Sequence, residues 1–180
     1  IVHRFDTGGL ENGVVNLINH LDEDAYQHSI VTLKGFNEEF CARINTSNTT
    51  FYDLAKQDGN DPKIFFRLRK LIKKLTPDIL HTRNTATIEN QLVGWWCSVP
   101  LRIHGEHGWD VNDMHGQNKK YQMLRKFMRM YIHQYIGLST EAVDYLKNTI
   151  SVSQESIHHI CNGVDIKKFS PVNEDSNKSE

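Results

Sequence analysis

Short runs rich in β-branched and aromatic residues alternate along this chain with longer stretches of helical period. The runs predict strands at residues 2–5, 29–33, 50–53, 79–82, 101–104, 135–138 and 157–161. Between them, Val14, Leu17, Ile18 and Leu21 repeat at i, i+3, i+4 and i+7. Ile64, Leu68, Leu71, Ile72 and Leu75 hold the same stripe over three turns, so both segments read as amphipathic helices. A third seam, Tyr121, Leu124, Met128, Tyr131 and Tyr135, predicts one long helix from about residue 118 into the strand at 135. Strands alternating with helices build parallel βαβ units, and the expected fold class is α/β, three layers with a mostly parallel sheet.

Composition narrows the class further. The 180 residues suffice for one domain with its own core, and 38% hydrophobic, 24% charged and a net charge of −1 describe an ordinary globular chain. Cys41, Cys97 and Cys161 are odd in number and widely spaced, which argues against a disulfide framework and a zinc ribbon and points to a reducing cytoplasm. No apolar run is long enough to cross a bilayer, and residues 1–5 read as the inside of an element, not as a signal peptide or a natural start. Residues 173–180 hold no apolar side chain and read as a linker or tail.

Chemistry is concentrated in a few places. The first strand runs through Thr7-Gly8-Gly9-Leu10-Glu11 into a helix, and paired glycines at a helix start expose N–H groups to a phosphate or carboxylate. The spacing fits neither the dinucleotide fingerprint nor a Walker loop, and a tight turn without a ligand explains the same residues. A second cluster, Arg102-Ile103-His104-Gly105-Glu106-His107-Gly108-Trp109-Asp110, closes a strand with imidazole, carboxylate and indole, the composition of a site rim beyond the carboxyl end of a strand. The same stretch also reads as a cap on the core. A divalent-metal site, the basis of an alternative metal-dependent hydrolase, would draw on His104, His107 and Asp110 with Asp113. These groups straddle a strand-to-loop break, so no metal is expected. Eleven of the 21 basic residues lie in two segments without acids. From these, Lys63, Arg67, Lys70, Lys74, Lys119, Lys120, Arg125, Lys126 and Arg129 are the candidate contacts to an anionic membrane surface, with a plain solvated face as the rival. The neutral total and the lack of a binding motif argue against nucleic acid.

Taken in order, the motifs resemble the N-terminal domain of retaining glycosyltransferase family 4. They are Gly8-Gly9-Leu10-Glu11, Pro77-Asp78-Ile79-Leu80-His81, His107-Gly108, a strand closing in Ser139, and Asn162-Gly163-Val164-Asp165 followed by Phe169 and Pro171. The stretch from Arg102 to Asp110 further resembles a subgroup of bacterial sugar transferases associated with exopolysaccharide and exosortase gene clusters. The resemblance implies a Rossmann-like acceptor-side domain at residues 1–170, the N-terminal half of a GT-B fold, followed by a linker or tail at 171–180. On that resemblance the domain that binds the nucleotide-sugar donor is expected to be absent from this sequence. No cofactor is expected in this half, and the isolated piece is expected to be inactive.

On the same basis His107 is the catalytic candidate, beside the transferring sugar. Gly8, Gly9, Glu11, Arg83, His104, Glu106, Trp109 and Asp110 are the substrate- or phosphate-binding candidates. Which of His104 and His107 faces the cleft stays open. The implied partners are a sugar or lipid-linked glycan acceptor and, through the missing domain, a nucleotide sugar. The implied setting is cytoplasmic, peripheral to the inner face of the membrane. Sugar-nucleotide epimerases share this half-architecture, although their signature acidic residues are not evident, and a free-standing ligand-binding domain is the remaining alternative.

Overall fold

The computed structural model describes residues 1–108, 113 and 116–163. The expectations for Trp109, Asp110, the motif beyond Gly163, the boundary at residue 170 and the tail at 171–180 lie outside the described residues. In chain order the main elements are α1 (Gly9–His20), β1 (His28–Thr32), α2 (Glu38–Cys41), β2 (Thr49–Asp53), α3 (Lys63–Leu75) and β3 (Ile79–Arg83). They continue with α4 (Asn90–Trp96), β4 (Leu101–Glu106), α5 (Lys119–Met128), β5 (Gln134–Gly137), α6 (Thr140–Asp144) and β6 (Ile157–His159).

Every pairing between these strands is parallel: β1 with β2, and β3, β4, β5 and β6 side by side in sequence order. Residues 1–5 join the two groups. On one side Val2 N–H donates to the Val31 carbonyl at 3.0 Å and Phe5 N–H to that of Gly35 at 3.2 Å; on the other, Arg83 N–H donates to the Ile1 carbonyl at 3.2 Å. The predicted strand at 2–5 is thus present as isolated parallel bridges to Thr32 and Phe36 rather than a continuous ladder. The order across the sheet is β2, β1, residues 1–5, β3, β4, β5, β6. It grows one way from residues 1–5, then jumps back and grows the other way from β3.

That reversal decides where the helices lie. Parallel crossovers are right-handed, so growth in opposite directions puts the connections on opposite faces. Val14, Val15 and Ile18 of α1 and Phe40 of α2 pack on Ile30, Val2 and Phe5 on one face. Ile64, Leu68 and Ile72 of α3 and Val93 of α4 pack on Val31, Leu54 and Leu80 on the other. Met128, with Leu146 and Ile150 from the segment after α6, covers Tyr135 and Ile157.

Local chemistry sets the ends of the elements. Thr76 takes a left-handed φ of 45° ahead of Pro77 and stops α3. The Ser139 hydroxyl accepts from Ala142 N–H at 3.1 Å and starts α6. The long helix predicted from residue 118 is shorter: α5 stops at Met128, and a tighter turn at Arg129–Tyr131 follows. There the Arg129 guanidinium donates to the Ile150 and Ser151 carbonyls at 2.9 and 2.8 Å, fixing the point where the chain leaves the helix to enter β5.

Gly94 marks the tightest approach of α4 to the sheet. A Cβ there would lie 2.4 Å from Leu80 Cδ2 and 3.3 Å from Arg102 Cδ. Both neighbours are buried, so Gly94→Ala should destabilise the domain by about 1–3 kcal/mol, read as a lower urea midpoint with an unchanged slope.

Candidate active site

Successive side chains of a strand point to opposite faces, and β4 carries different chemistry on each. Arg102, His104 and Glu106 point under the sheet, toward α4 and α5. His104 is fully buried, its Nδ1 2.8 Å from Thr82 Oγ1. Its Nε2 lies 3.4 Å from Glu106 Oε1, close enough for an ion pair but without hydrogen-bond geometry. Glu106 accepts from Arg125 Nε at 2.7 Å, and Arg125 Nη1 donates to Asp113 Oδ2 at 2.7 Å. The same guanidinium reaches the Thr85 hydroxyl and lies 5.4 Å from the Tyr145 ring centre. Burial pushes the Glu106 carboxyl up, but His104 and Arg125 outweigh it and bring its pKa down to about 2. Asp113 also accepts from Asn118 N–H at 2.9 Å, so the network ties the end of β4 to the start of α5.

Above the sheet lies a cavity of about 490 Å³. Leu17 from α1, Ile136 and Leu138 from β5 and Ile160 after β6 form an aliphatic wall, and Asn16, His20 and Asn162 add polar groups. His81 and Arg83 of β3 and His107 after β4 gather at one end. Gly105 makes their arrangement possible. A Cβ on it would sit 2.3 Å from His107 Nε2 and 3.3 Å from His81 Nε2, so the rings occupy the space a side chain would take. Their centres are 6.4 Å apart, and His107 N–H is held by Asn84 Oδ1 at 2.7 Å. Burial, then the Arg83 charge, lowers the pKa of His107 to about 3 and pushes His81 well below the usual histidine range. Both rings are therefore neutral at pH 7. Burial also lowers the Arg83 pKa, to about 10, with Glu11 opposing the shift.

The glycine turn lies beside this end of the cavity. Gly8 is extended and precedes α1, and a Cβ on it would come 2.2 Å from Glu11 Oε2, whereas one on Gly9 would meet open space. The Glu11 carboxyl folds back toward its own backbone N–H. Burial raises its pKa, with that hydrogen bond and Arg83 working against the rise.

The candidates thus separate. Arg83 and His107 share the cavity, with Gly8, Gly9 and Glu11 at the adjoining helix start. His104 and Glu106 are buried beneath the sheet, engaged with Thr82 and Arg125, and do not face the cavity; of His104 and His107, it is His107 that does. His104 is fully buried beneath the sheet, whereas His107 lines the cavity above it. Among the described residues no group of three His, Cys, Asp or Glu side chains is placed to hold a metal ion. Arg125, expected at a membrane surface, is 1% exposed and spends its charge on Glu106 and Asp113. Arg67 is half-buried, its Nε donating to the Leu54 carbonyl at 2.8 Å and Nη2 paired with Asp61 at 2.5 Å. Lys63, Lys70, Lys74, Lys119, Lys120, Lys126 and Arg129 are exposed. His81 was not among the residues singled out for chemistry. Its place in Pro77-Asp78-Ile79-Leu80-His81, with the odd-numbered positions of β3 on the cavity side, was the available signal.

A parallel sheet whose order reverses beside a glycine-led helix, with an arginine and two imidazoles at the carboxyl edge, defines a Rossmann-like domain of the kind that forms half of a GT-B fold. The chain belongs to Glycosyltransferase Family 4, whose model matches residues 7–168. Over 114 residues it is 31% identical to UDP-Gal:alpha-D-GlcNAc-diphosphoundecaprenol alpha-1,3-galactosyltransferase of Escherichia coli, covering 62% of this chain and 30% of that protein. Its fold is similar to the crystal structure of a glycosyltransferase from Rickettsia africae, with a TM-score of 0.69 at 15% identity, over 97% of this chain and 46% of that one. It is also similar to UDP-GlcNAc 2-epimerase from Neisseria meningitidis bound to UDP-GlcNAc, with a TM-score of 0.54 at 13% identity, over 89% and 46%. The family match, not the shared fold, separates this chain from the epimerases. The chain spans less than half the length of each of these relatives.

The depressed pKa values make a signed prediction. An unfolded chain protonates His107 near its ordinary 6.5 and Glu106 near 4.5, whereas the folded chain resists until about 3 and about 2. The unfolded state therefore binds more protons in both windows, and stability falls as pH drops from 6.5 toward 2. Urea midpoints measured from pH 7 to pH 3 should fall, and His107→Gln should flatten the part of the decline that begins near pH 6.5.

Proposed function

We propose that the whole protein transfers a hexosyl group from a nucleotide sugar to a glycan or lipid-linked acceptor with retention, and that this chain supplies the acceptor-side half. Residues 1–170 form that half, and 171–180 lead to a donor-binding domain. The observation that carries the reading is the meeting of Arg83 and His107 in one cavity beside the start of α1, at the reversal of strand order, in a chain of this family. The N–H groups of Gly8 and Gly9, at the start of α1, suit the negative charge that develops as a diphosphate departs. A neutral His107 suits a hydroxyl of the transferring sugar, since an imidazole held uncharged both donates and accepts a hydrogen bond. No cofactor is assigned to this half, and the nucleotide-sugar donor is assigned to the full-length enzyme.

The relative's lipid-linked substrate supports a setting in bacterial exopolysaccharide or cell-envelope glycan synthesis, in the cytoplasm at the inner face of the membrane. No helix among the described residues is long and apolar enough to cross a bilayer. Lys63, Lys119 and Lys120 stand where α3 and α5 begin, on the carboxyl edge of the sheet where the cavity lies. Lys70 and Lys74 lie further along α3, and Lys126 and Arg129 at and just beyond the end of α5. The first group is the better placed to meet anionic headgroups around a lipid-linked acceptor. Co-sedimentation of the full-length protein with anionic vesicles should weaken at high salt, and Lys119→Glu with Lys120→Glu should remove most of it; binding that ignores both changes contradicts this part of the proposal.

The main test is sugar transfer by the full-length protein from a panel of radiolabelled nucleotide sugars to lipid-linked and free glycans, with the product anomer read by NMR coupling. A product that keeps the donor's anomeric configuration is expected. Inversion, or release of sugar to water alone, contradicts the proposal. Gly105→Ala should displace the His107 ring, and His107→Ala should remove it. Both should lower kcat by about 100-fold while the circular dichroism of the fold is kept.

A further inference from the structure

We infer that the cavity takes the acceptor as an amphiphile, with the diphosphate of a prenyl-diphosphate-linked sugar against Arg83 and His81 and the first isoprene units along Leu17, Ile136, Leu138 and Ile160. The inference rests on the lipid-linked acceptor of the proposed function and gives it a site.

The polar end is built for an anion. Among the described residues the Arg83 guanidinium makes no hydrogen bond or close ion pair, although the Glu11 carboxylate at the start of α1 acts on its charge from outside the lining, and no carboxylate lines the cavity. His81 Nε2 and both ring nitrogens of His107 are shut off from solvent with no hydrogen-bond partner. Buried polar atoms without partners are costly; a neutral imidazole donates one N–H, so His81 beside the half-buried Arg83 offers donors that phosphate oxygens would satisfy. Gly105 leaves the room in which both rings stand.

The other end is aliphatic. Leu17 and Ile160 are 48% and 53% exposed, although each lies against the cavity, and Ile136 and Leu138 continue the wall between them. Among the described residues no Phe, Tyr or Trp lines the space, and the branched side chains of its wall suit a branched hydrocarbon chain. The volume lies within the range of sites for small ligands. The order of the parts, cation and imidazoles at one end and aliphatic wall at the other, is that of a diphosphate headgroup followed by its lipid.

The experiment is calorimetric titration of the full-length protein with farnesyl diphosphate, inorganic pyrophosphate and uridine diphosphate. Farnesyl diphosphate should bind at least about tenfold more tightly than pyrophosphate, because the added chain buries apolar surface. Arg83→Gln and His81→Gln should weaken both. Leu17→Ser combined with Ile160→Ser should bring farnesyl diphosphate down to the level of pyrophosphate and leave pyrophosphate unchanged. These two residues are half-exposed, so the double variant should keep its fold, checked by circular dichroism. Equal affinity for farnesyl diphosphate and pyrophosphate overturns the inference. So does displacement of farnesyl diphosphate by uridine diphosphate, which would make this a nucleotide site, and so does an indifferent double variant. Binding is read without sugar transfer, so the two readings fail separately. Tight farnesyl diphosphate binding without transfer contradicts only the proposed activity, and transfer to soluble glycans without farnesyl diphosphate binding contradicts only this inference.

Discussion

The two-residue period of β4 is the constraint on which the site depends. It sends His104 and Glu106 beneath the sheet and leaves Gly105 facing the cavity, where the absent side chain makes room for the rings of His81 and His107. A shift of one residue in the register of β4 against β3, where Thr82 lies opposite His104 and Arg83 opposite Gly105, would exchange the faces and put a buried carboxylate in the cavity. The hydrogen bond between Thr82 and His104 holds that register from below. Gln91 adds to it by donating to Thr82 Oγ1 at 2.7 Å and to the Ile103 carbonyl at 2.6 Å.

The network beneath the sheet and the cavity above it have opposite characters. Below, Arg125 satisfies two carboxylates at once, and removing it would leave Glu106 and Asp113 charged and buried, a change that costs roughly 3–5 kcal/mol in comparable sites. Above, among the described residues, His81 Nε2 and both ring nitrogens of His107 lie beside Arg83 without a hydrogen-bond partner. The first arrangement holds the end of β4 and the start of α5 in place; the second keeps unmet hydrogen-bonding capacity beside open space. On the proposed reading, stability and function are divided between the faces of one strand, and the loop that leaves β4 carries His107 from a position that the buried ion pairs fix.

Much of the fold was legible because its signals are periodic. The strands at 29–33, 50–53, 79–82 and 101–104 and the stripes of α1 and α3 were found within a residue or two of their ends, apart from the early start of α1. The short helices α2, α4 and α6 were missed because seven residues or fewer carry too little period to recognise. Asn90 and Gln91 at the start of α4 also place polar groups where a stripe would need apolar ones. The overextension of α5 has a different cause, since the seam through Tyr131 and Tyr135 continues across the tight turn as packing and not as helix. In the site, the glycine turn and His107 were marked by composition, and Arg83 by the family resemblance alone. The fates of His104 and Arg125 were not legible, because both depend on which face of a strand or helix meets the core. His81 was hidden for the same reason: its motif was noticed, but only the sheet order brings it beside His107.

The central claim is that the two sides of β4 do different work, with His81 and His107 in the substrate cavity and His104 in the buried network. The most direct measurement is a heteronuclear NMR spectrum of the full-length protein labelled at its histidine ring nitrogens, recorded before and after farnesyl diphosphate is added. The account predicts that the His81 and His107 ring signals move while those of His104 stay where they are. Signals of His104 that move with the ligand while those of His81 and His107 remain fixed would contradict it.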